Sequence, residues 1–564
     1  MRGCRNPELS VQRVSEAAAQ SAQNGEKMEE TYILTYDIGT TGLKTGLFAV
    51  GSRVRLMAGA TCGYHLYILE NGGAEQDADE WWNAMCSTTR QVLEAVPEIR
   101  TEDIAGISFC SQMQGLVLVD EHGVPVHRPM SYMDQRATEE IRKGIANGVR
   151  IAGANIAKLI PSLLITGAVS SSVKDPIWKY KWIETHEPEN FARAYKWLDV
   201  KEYIICRCTG RFVMTKDSAY GTLLYDTRKG HEGWSRELCR MFHIRMDLLP
   251  EIIRTTDPVG PLTRKAAEEL GLAEGIPVFG GGGDATLIGI GSGCVHTGQT
   301  HIYSGTSGWV STIVDRQLVD ASSMIAAIVG AQDGRFNYFA EMETAGKCFD
   351  WVMHHLALDE INIYLDKHDV CSSPESTCRS LYEYLSEVVE RAEPGAGGVI
   401  FTPWLHGNRC PFEDPYSAGM FFNIRLETGK TEMIRAVLEG ICYHLRWMLE
   451  CQDRKIHTSE VIRFSGGGAL SDVTSQMLAD ITGRTIEVVA HPQNVGAVGA
   501  AATASVGLGI LHDIEDLDRL IPAVRSFRPD PSRHEVYDRS YQVFTRLHQA
   551  NQKFFRELNA AASK

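Results

Sequence analysis

The chain has 564 residues, with 56 basic and 71 acidic side chains and a net charge of −15, a balance that disfavours nucleic acid and anionic membrane surfaces as partners. This length exceeds what one hydrophobic core serves, so two large domains are expected. A hydrophobic content of 44% and a charged content of 23% are those of a soluble globular protein, and 14 cysteines without a paired C-x-x-C pattern read as scattered thiols in a reducing cytoplasm. Cys206 and Cys208, one residue apart, are by themselves a poor metal signature.

Residues 1–30 are polar and hold no apolar core for a signal peptide; they are expected to form a disordered extension, with Met28 as an alternative start. Tyr32-Ile33-Leu34-Thr35-Tyr36 is β-branched and aromatic, as a strand should be. Asp37-Ile38-Gly39-Thr40-Thr41-Gly42 is then a tight turn, and residues 44–50 run back as a second strand. Its glycines let the turn backbone approach a ligand, and two hydroxyls with several free N–H groups make a concavity suited to phosphate. Asp37, at the strand end, suits a metal held through water. Taken alone, the stretch also reads as an ordinary capped hairpin.

A helix is expected from residue 75, capped by Asp77 or Asp79, with Trp82, Met85, Val92 and Leu93 on its apolar face. A strand over 104–108 leads into Cys110-Ser111-Gln112-Met113-Gln114-Gly115, and 116–119 resumes as a strand. Loops at strand ends bind ligands in α/β proteins, and Gln112 and Gln114 carry donors and acceptors together, which suits sugar hydroxyls. Asp134 beside Arg136 reads as a surface pair. Asp175-Pro176 opens a helix, 262–270 is another, and 275–279 is a strand running into Gly280-Gly281-Gly282-Gly283-Asp284. Four glycines clear side chains from around one carboxylate, so Asp284 is the candidate base. Gly289-x-Gly291-x-Gly293 lies beyond the strand–turn junction and is no dinucleotide fingerprint.

Residues 300–304, Gly305-Thr306-Ser307-Gly308 and 309–314 repeat the first hairpin: Gly39, Thr40, Thr41 and Gly42 match the second turn in order, 266 positions on (305 − 39). Two such hairpins imply related halves facing one nucleotide. Tyr303 stands where Asp37 would be, which places the metal with the first half. Further on, helices are expected at 345–356 and around Leu381, Leu385, Val388 and Val389, and a strand at 399–405 precedes a turn at Gly407-Asn408-Arg409-Cys410-Pro411. A strand and a long helix fill 419–450. The strand 461–465 precedes Gly466-Gly467-Gly468-Ala469, a turn that suits a nucleotide's base or ribose. The uncharged run 495–511 reads as a buried, closely packed helix, too weakly apolar for a membrane span. The tail, 527–564, reads as a helix with Tyr537, Tyr541, Phe544 and Leu547 on one face.

Over residues 31–558 the chain resembles the FGGY family of carbohydrate kinases, and within it the xylulokinases. Pro176, Lys179, Tyr180, Trp182 and Ile183 match its first signature. Gly419, Phe421, Ile424, Glu432, Met433, Ala436, Val437, Leu438 and Glu439 match the second, with Asn423 where the family usually has Gly. Glu75-Gln76-Asp77 with Trp81-Trp82, and Ser111-Gln112-Met113-Gln114-Gly115, are similar to xylulokinase segments. The resemblance implies an α/β fold of two actin-like, ribonuclease-H-type domains with a central cleft: 31–277 on the sugar, Mg²⁺ and phosphate side, 278–526 on the nucleotide side, then the helix 527–564. It implies that Asp37 organises Mg²⁺, that Gly39, Thr40 and Thr41 lie by the transferred phosphate of ATP, and that Gly305 and Thr306 contact the other phosphates. Gly346, Gly467, Gly468 and Ala469 would line the nucleoside pocket, Asp284 would be the general base, and Gln112, Met113, Gln114 and Asp134 would hold the sugar.

Gln114 stands where xylulokinases have His, and Ala285 follows the base where they usually have Asn. Another ketose, a polyol or a sugar acid therefore stays open beside D-xylulose. A non-catalytic actin-like nucleotide-binding protein would use both hairpins but would not need Asp284 or the Gln112–Gln114 loop. The expected partners are a small sugar and ATP, without nucleic acid or membrane; a homodimer is compatible with the sequence.

Overall fold

The computed structural model describes residues 30–151, 153–357 and 385–560. The expectations for the N-terminal extension and for Leu381 lie outside the described residues.

Strands β1 (Thr31–Ile38), β2 (Gly42–Val50), β3 (Val54–Gly63), β4 (Ile104–Ser111), β5 (Pro258–Pro261) and β6 (Pro277–Phe279) form one sheet in the order β3–β2–β1–β4–β6–β5. The first three are antiparallel, β1, β4 and β6 run parallel, and β5 is antiparallel to β6. The second sheet holds β7 (Thr300–Ser304), β8 (Gly308–Val314), β9 (Val319–Asp320), β10 (Ile325–Val329), β11 (Phe336–Met342), β12 (Val461–Ser465), β13 (Thr485–Val489) and β14 (Ala523–Phe527). Its order is β9–β10–β11–β8–β7–β12–β13–β14. From β11 to β14 the senses repeat those of the first sheet from β3 to β5. The halves expected from two short hairpins thus share a six-strand order, as actin-like, ribonuclease-H-type domains do.

Helices cover both sheets. In α1 (Ala78–Ala95) the Asp77 side chain accepts from the Asp79 N–H, and Trp81, Trp82, Met85 and Val92 are buried. The long helix Lys430–Asp453 packs on the second sheet, the tail helix Pro531–Asn559 packs on that helix and on the helix Asp472–Thr482, and Tyr537, Tyr541, Phe544 and Leu547 face inward as expected. The tail helix starts later than the pattern predicts, because Phe527 completes β14 and Asp530 caps a first turn opened by Pro531. The strand expected at 399–405 is confined to Ile400–Thr402. Cys206 and Cys208 are buried free thiols on the helix Val200–Thr209. No helix among the described residues is long and apolar enough to cross a membrane.

The halves meet along two helices of small residues, α2 (Asp284–Gly291) and α3 (Val495–Gly507). A Cβ on Gly291 would lie 1.8 Å from the Val495 carbonyl oxygen, and one on Gly499 would lie 2.3 Å from that of Leu287. The backbones touch, which accounts for the glycines after Asp284 and for the uncharged run. Around them Ile33, Phe48 and Phe279 of the first half share a core with Trp309 and Val489 of the second. Thr503 on α3 and Ser108 on β4 share a hydroxyl–hydroxyl hydrogen bond of 3.2 Å.

Gly291→Ala must push these backbones apart, and overpacking of this kind costs about 1–3 kcal/mol. Calorimetry is expected to show a melting temperature several degrees lower, with Ala500→Gly, elsewhere on α3, changing it by a different mechanism and less. An unchanged melting temperature for Gly291→Ala would refute backbone contact as the basis of the junction.

Candidate active site

The two hairpin turns lie on either side of one cleft. In the first, the Gly39 N–H donates to the Gly42 carbonyl (2.9 Å); in the second, the Gly305 N–H donates to the Ser307 carbonyl (2.9 Å). Asp37, Gly39, Thr40, Thr41, Thr306, Gln112, Met113, Gln114 and Asp284 line one cavity of about 670 Å³. Gly305, Thr306, Gly346, Gly467 and Gly468 line a second, of about 1300 Å³. Lys44, Thr61, Tyr303 and Thr306 border both, so the cavities adjoin at the turns. Gly346 opens the helix Gly346–His355 against the second turn; its N–H donates to the Gly305 carbonyl (2.7 Å), and a Cβ there would lie 2.4 Å from the same oxygen.

Lys44 is a site residue that no local sequence pattern marks. It pairs in register with Asp37 across the hairpin and donates to the Gln493 carbonyl of the second half (3.0 Å). Gln76 is another residue missing from the sequence-based candidates. Its amide donates to the Thr40 carbonyl (2.7 Å) and its oxygen accepts from the Gln112 amide (2.9 Å), so one side chain ties the glutamine loop to the first hairpin turn. The Glu75-Gln76-Asp77 motif does carry a signal for it, one that a helix start alone does not account for.

The glutamine loop is held from below. The Gln112 N–H extends the ladder to the Ile38 carbonyl (2.8 Å), while its buried side-chain oxygen has no partner among the described residues. Gln114 adopts φ +61°, a left-handed conformation uncommon for a side-chain-bearing residue. Fully buried Lys179, from the first signature, donates to the Gln114 carbonyl (2.7 Å) and stabilises that turn. Burial lowers the Lys179 amine to about 8.

Four glycines ahead of Asp284 serve packing more than clearance, which corrects the expectation. A Cβ on Gly281 (φ +59°) would lie 2.0 Å from the Phe109 carbonyl, and one on Gly283 would lie 2.1 Å from the Met113 sulfur. The segment is thereby pressed onto β4 and the glutamine loop. Asp217, fully buried, accepts from the Gly283 N–H (2.7 Å) and the Thr286 hydroxyl (2.8 Å), so both residues flanking the head of α2 are fixed. Buried Lys201 pairs with Glu202 beneath it and donates to Thr215 (2.6 Å), whose hydroxyl in turn donates to Asp217 (2.5 Å). Burial pushes the Asp284 carboxyl up to about 7; the Ala285 N–H opposes this, and negative Asp37 and Glu341 add to it. Such a carboxyl in a cleft is matched to proton transfer near neutral pH.

Two expected site residues stand elsewhere. Asp134 is neither a surface ion nor part of the cleft wall: it is fully buried and bonded to Arg136 (2.7 Å) and the Ala74 N–H (2.8 Å). Arg136 reaches on to Glu75 (2.7 Å), so the pair braces the segment carrying Gln76 and leaves no carboxylate oxygen for a sugar. Ala469 packs its methyl into the second core, and only its carbonyl, accepting from Arg525 (2.6 Å), points toward the pocket side; Gly467 and Gly468 provide the lining. The turn is forced by Gly466 (φ +89°), whose Cβ would lie 2.5 Å from the Ser304 carbonyl.

Among the described residues there is no group of three or more His, Cys, Asp or Glu arranged for a metal. The Asp37 carboxylate beside the two glycine turns nonetheless fits Mg²⁺, which keeps most of its waters. Gly496 leaves room at Asp37, since a Cβ there would lie 3.3 Å from the carboxylate oxygen.

Comparison with known proteins agrees with this geometry. Residues 32–291 match the FGGY family of carbohydrate kinases, N-terminal domain, and residues 301–508 match its C-terminal domain. A xylulose kinase of Staphylococcus epidermidis is 26% identical over 94% of this chain and 99% of its own length. A gluconokinase of Bacillus subtilis is 27% identical over 92% and 95%. Among solved structures, xylulose kinase and gluconate kinase from Lactobacillus acidophilus superpose with TM-scores of 0.78 and 0.77, each at 24% identity, covering 93% of this chain and 98% of theirs. With both halves matched by one family and both hairpins facing a common cleft, the chain belongs to the FGGY family of carbohydrate kinases and is a sugar phosphotransferase.

Proposed function

We propose that the protein transfers the γ-phosphoryl group of ATP to a hydroxyl of D-xylulose, giving D-xylulose 5-phosphate. The observation that carries this reading is the single cleft in which Asp284 and the Gln112–Gln114 loop face Gly39–Thr41 and Thr306. The sugar lies against Gln112, Met113 and Gln114, and Asp284 takes the proton of the attacking hydroxyl. Gly39, Thr40 and Thr41 hold the transferred phosphate, Gly305 and Thr306 the remaining phosphates, and Gly346, Gly467 and Gly468 the nucleoside. Asp37 would hold Mg²⁺, which would supply positive charge to the phosphates. Phosphoryl transfer asks the protein mainly for positioning and charge neutralisation, and Lys44 adds charge where the two cavities meet. Several similar proteins named xylulose kinase support the ketose over a sugar acid, although a gluconokinase is similar to nearly the same degree. A coupled ADP assay over ketoses, aldoses, polyols and gluconate tests the assignment; best turnover with a substrate other than D-xylulose would displace it.

For Asp284→Asn, turnover is expected to fall about 10²- to 10⁴-fold while ATP binding persists. Turnover within a few-fold of the parent would remove Asp284 as the base. In the parent, kcat/KM should fall as pH drops below about 7, where the carboxyl takes up its proton.

The same group sets a stability trend. Its ordinary value of 3.8 is raised to about 7, so between these limits the folded chain holds a proton that the unfolded chain has released. This contribution to stability therefore declines as pH rises through that window. Asp284→Asn removes the penalty. Its melting temperature should match the parent's near pH 4 and exceed it at pH 8. A gain of the same size at both pH values would contradict the raised carboxyl.

Gln114→Ala removes a neutral side chain with both a donor and an acceptor. It is expected to raise KM for the sugar far more than for ATP. Equal effects on both would place the loop outside the sugar end.

A further inference from the structure

The sugar end of the cleft has a second wall, contributed by the other half. Glu341 on β11, paired across the sheet with Trp309, and Arg409 in the turn after Ile400–Thr402 line the same cavity as the glutamine loop and are bonded to each other at 2.9 Å. Both remain partly open to the cleft, with side-chain exposures of 27% and 36%. Beside them Lys174 pairs with Glu343 (3.4 Å), bridging the first half to the second. Among the described residues, Lys44, Lys347 and Arg409 are the Lys and Arg side chains lining this cavity. Lys44 and Lys347 stand at the phosphate turns: Lys44 on β2, and Lys347 next to Gly346 with its own N–H directed to the Thr306 carbonyl (3.3 Å). That leaves Arg409 as the guanidinium serving the sugar end, and Glu341 already holds it.

A sugar acid presenting its reacting hydroxyl to Asp284 would bring its carboxylate toward Glu341, while the cation that could receive it is engaged. Like charges at such distances cost far more in a cleft than in water. An uncharged polyhydroxy substrate meets no such cost: Glu341 accepts from its hydroxyls, and the N–H groups of Arg409 not directed at Glu341 donate to its oxygens. We propose that Glu341 is a specificity-determining residue: by occupying Arg409 it makes the sugar end select uncharged ketoses and polyols over sugar acids. This rests on the kinase reading above and narrows its substrate class. Sequence identity does not decide that class, since a xylulose kinase and a gluconokinase are each 27% identical to this chain.

The test compares kcat/KM for the best uncharged substrate of the sugar panel with that for gluconate, using ADP release at saturating Mg-ATP. The parent enzyme is expected to prefer the uncharged substrate by about 100-fold. Glu341→Gln, which keeps shape and hydrogen bonding but frees Arg409, should narrow the ratio about tenfold, through a lower KM for gluconate. Adding Arg409→Met to it should abolish that gain. Arg409→Met alone leaves the Glu341 charge unpaired and should widen the ratio, which keeps the proposal testable if Glu341→Gln folds poorly. A parent enzyme that prefers gluconate, a ratio unchanged within twofold in folded Glu341→Gln, or a narrowed ratio in Arg409→Met would each overturn the proposal. ADP release with neither substrate class would instead overturn the kinase reading itself, so the two failures are distinguishable.

Discussion

Backbone contact between α2 and α3 is the constraint on which the cleft depends. Both helices begin in the site, and their backbones touch at Gly291 against Val495 and at Gly499 against Leu287. Asp284 is the first residue of α2, and Gly291, its last, lies against Val495. At the head of α3, Gly496 abuts Asp37, and just before it Gln493 receives Lys44. Because neither helix can approach or rotate without a glycine collision, the candidate base and the candidate metal carboxylate keep a set relation. Their proximity is also what adds negative potential at Asp284. A small-residue interface therefore carries an electrostatic consequence as well as a packing one.

Buried lysines play a related part in the first half. Lys179 and Lys201 are fully removed from solvent, where an isolated cation would be strongly destabilising. Each is offset by specific acceptors. Lys179 holds the Gln114 carbonyl in a left-handed turn, and Lys201, with Glu202, supports the Thr215–Asp217 pair that grips the head of α2. Removing one partner of such a network leaves a buried charge uncompensated, so these residues are a costly but specific means of fixing two segments that line the cleft.

The two halves share a strand order yet differ where chemistry demands it. Opposite Asp37 in the repeat stands Tyr303, whose ring stacks on Trp309 at 4.1 Å between centroids and lies under the Gly305 turn. An aromatic wall replaces a carboxylate, so the repeat brings a second glycine turn to the cleft without a second carboxylate at its strand end. The cleft thus has one turn preceded by a carboxylate and one flanked by aromatic rings where the cavities adjoin.

Local chemistry makes much of this legible in the amino-acid sequence. The paired turns, the capped α1, the buried helix that takes up 495–507 of the uncharged run to 511 and the glycine-framed Asp284 are encoded within a few residues each, and short-range propensity suffices to read them. Relations between distant segments are not legible there. Gly291 and Val495 are 204 positions apart (495 − 291), Gln76 joins two loops that are remote in sequence, and Asp134 proves to be a brace because Arg136 and Ala74 surround it. The sequence by itself determined which groups the protein carries and the strand–turn elements that present them. The tertiary structure alone decided which of those groups face the cleft and which are consumed in holding it, because a side chain's free hydrogen-bonding capacity is settled only by what packs around it.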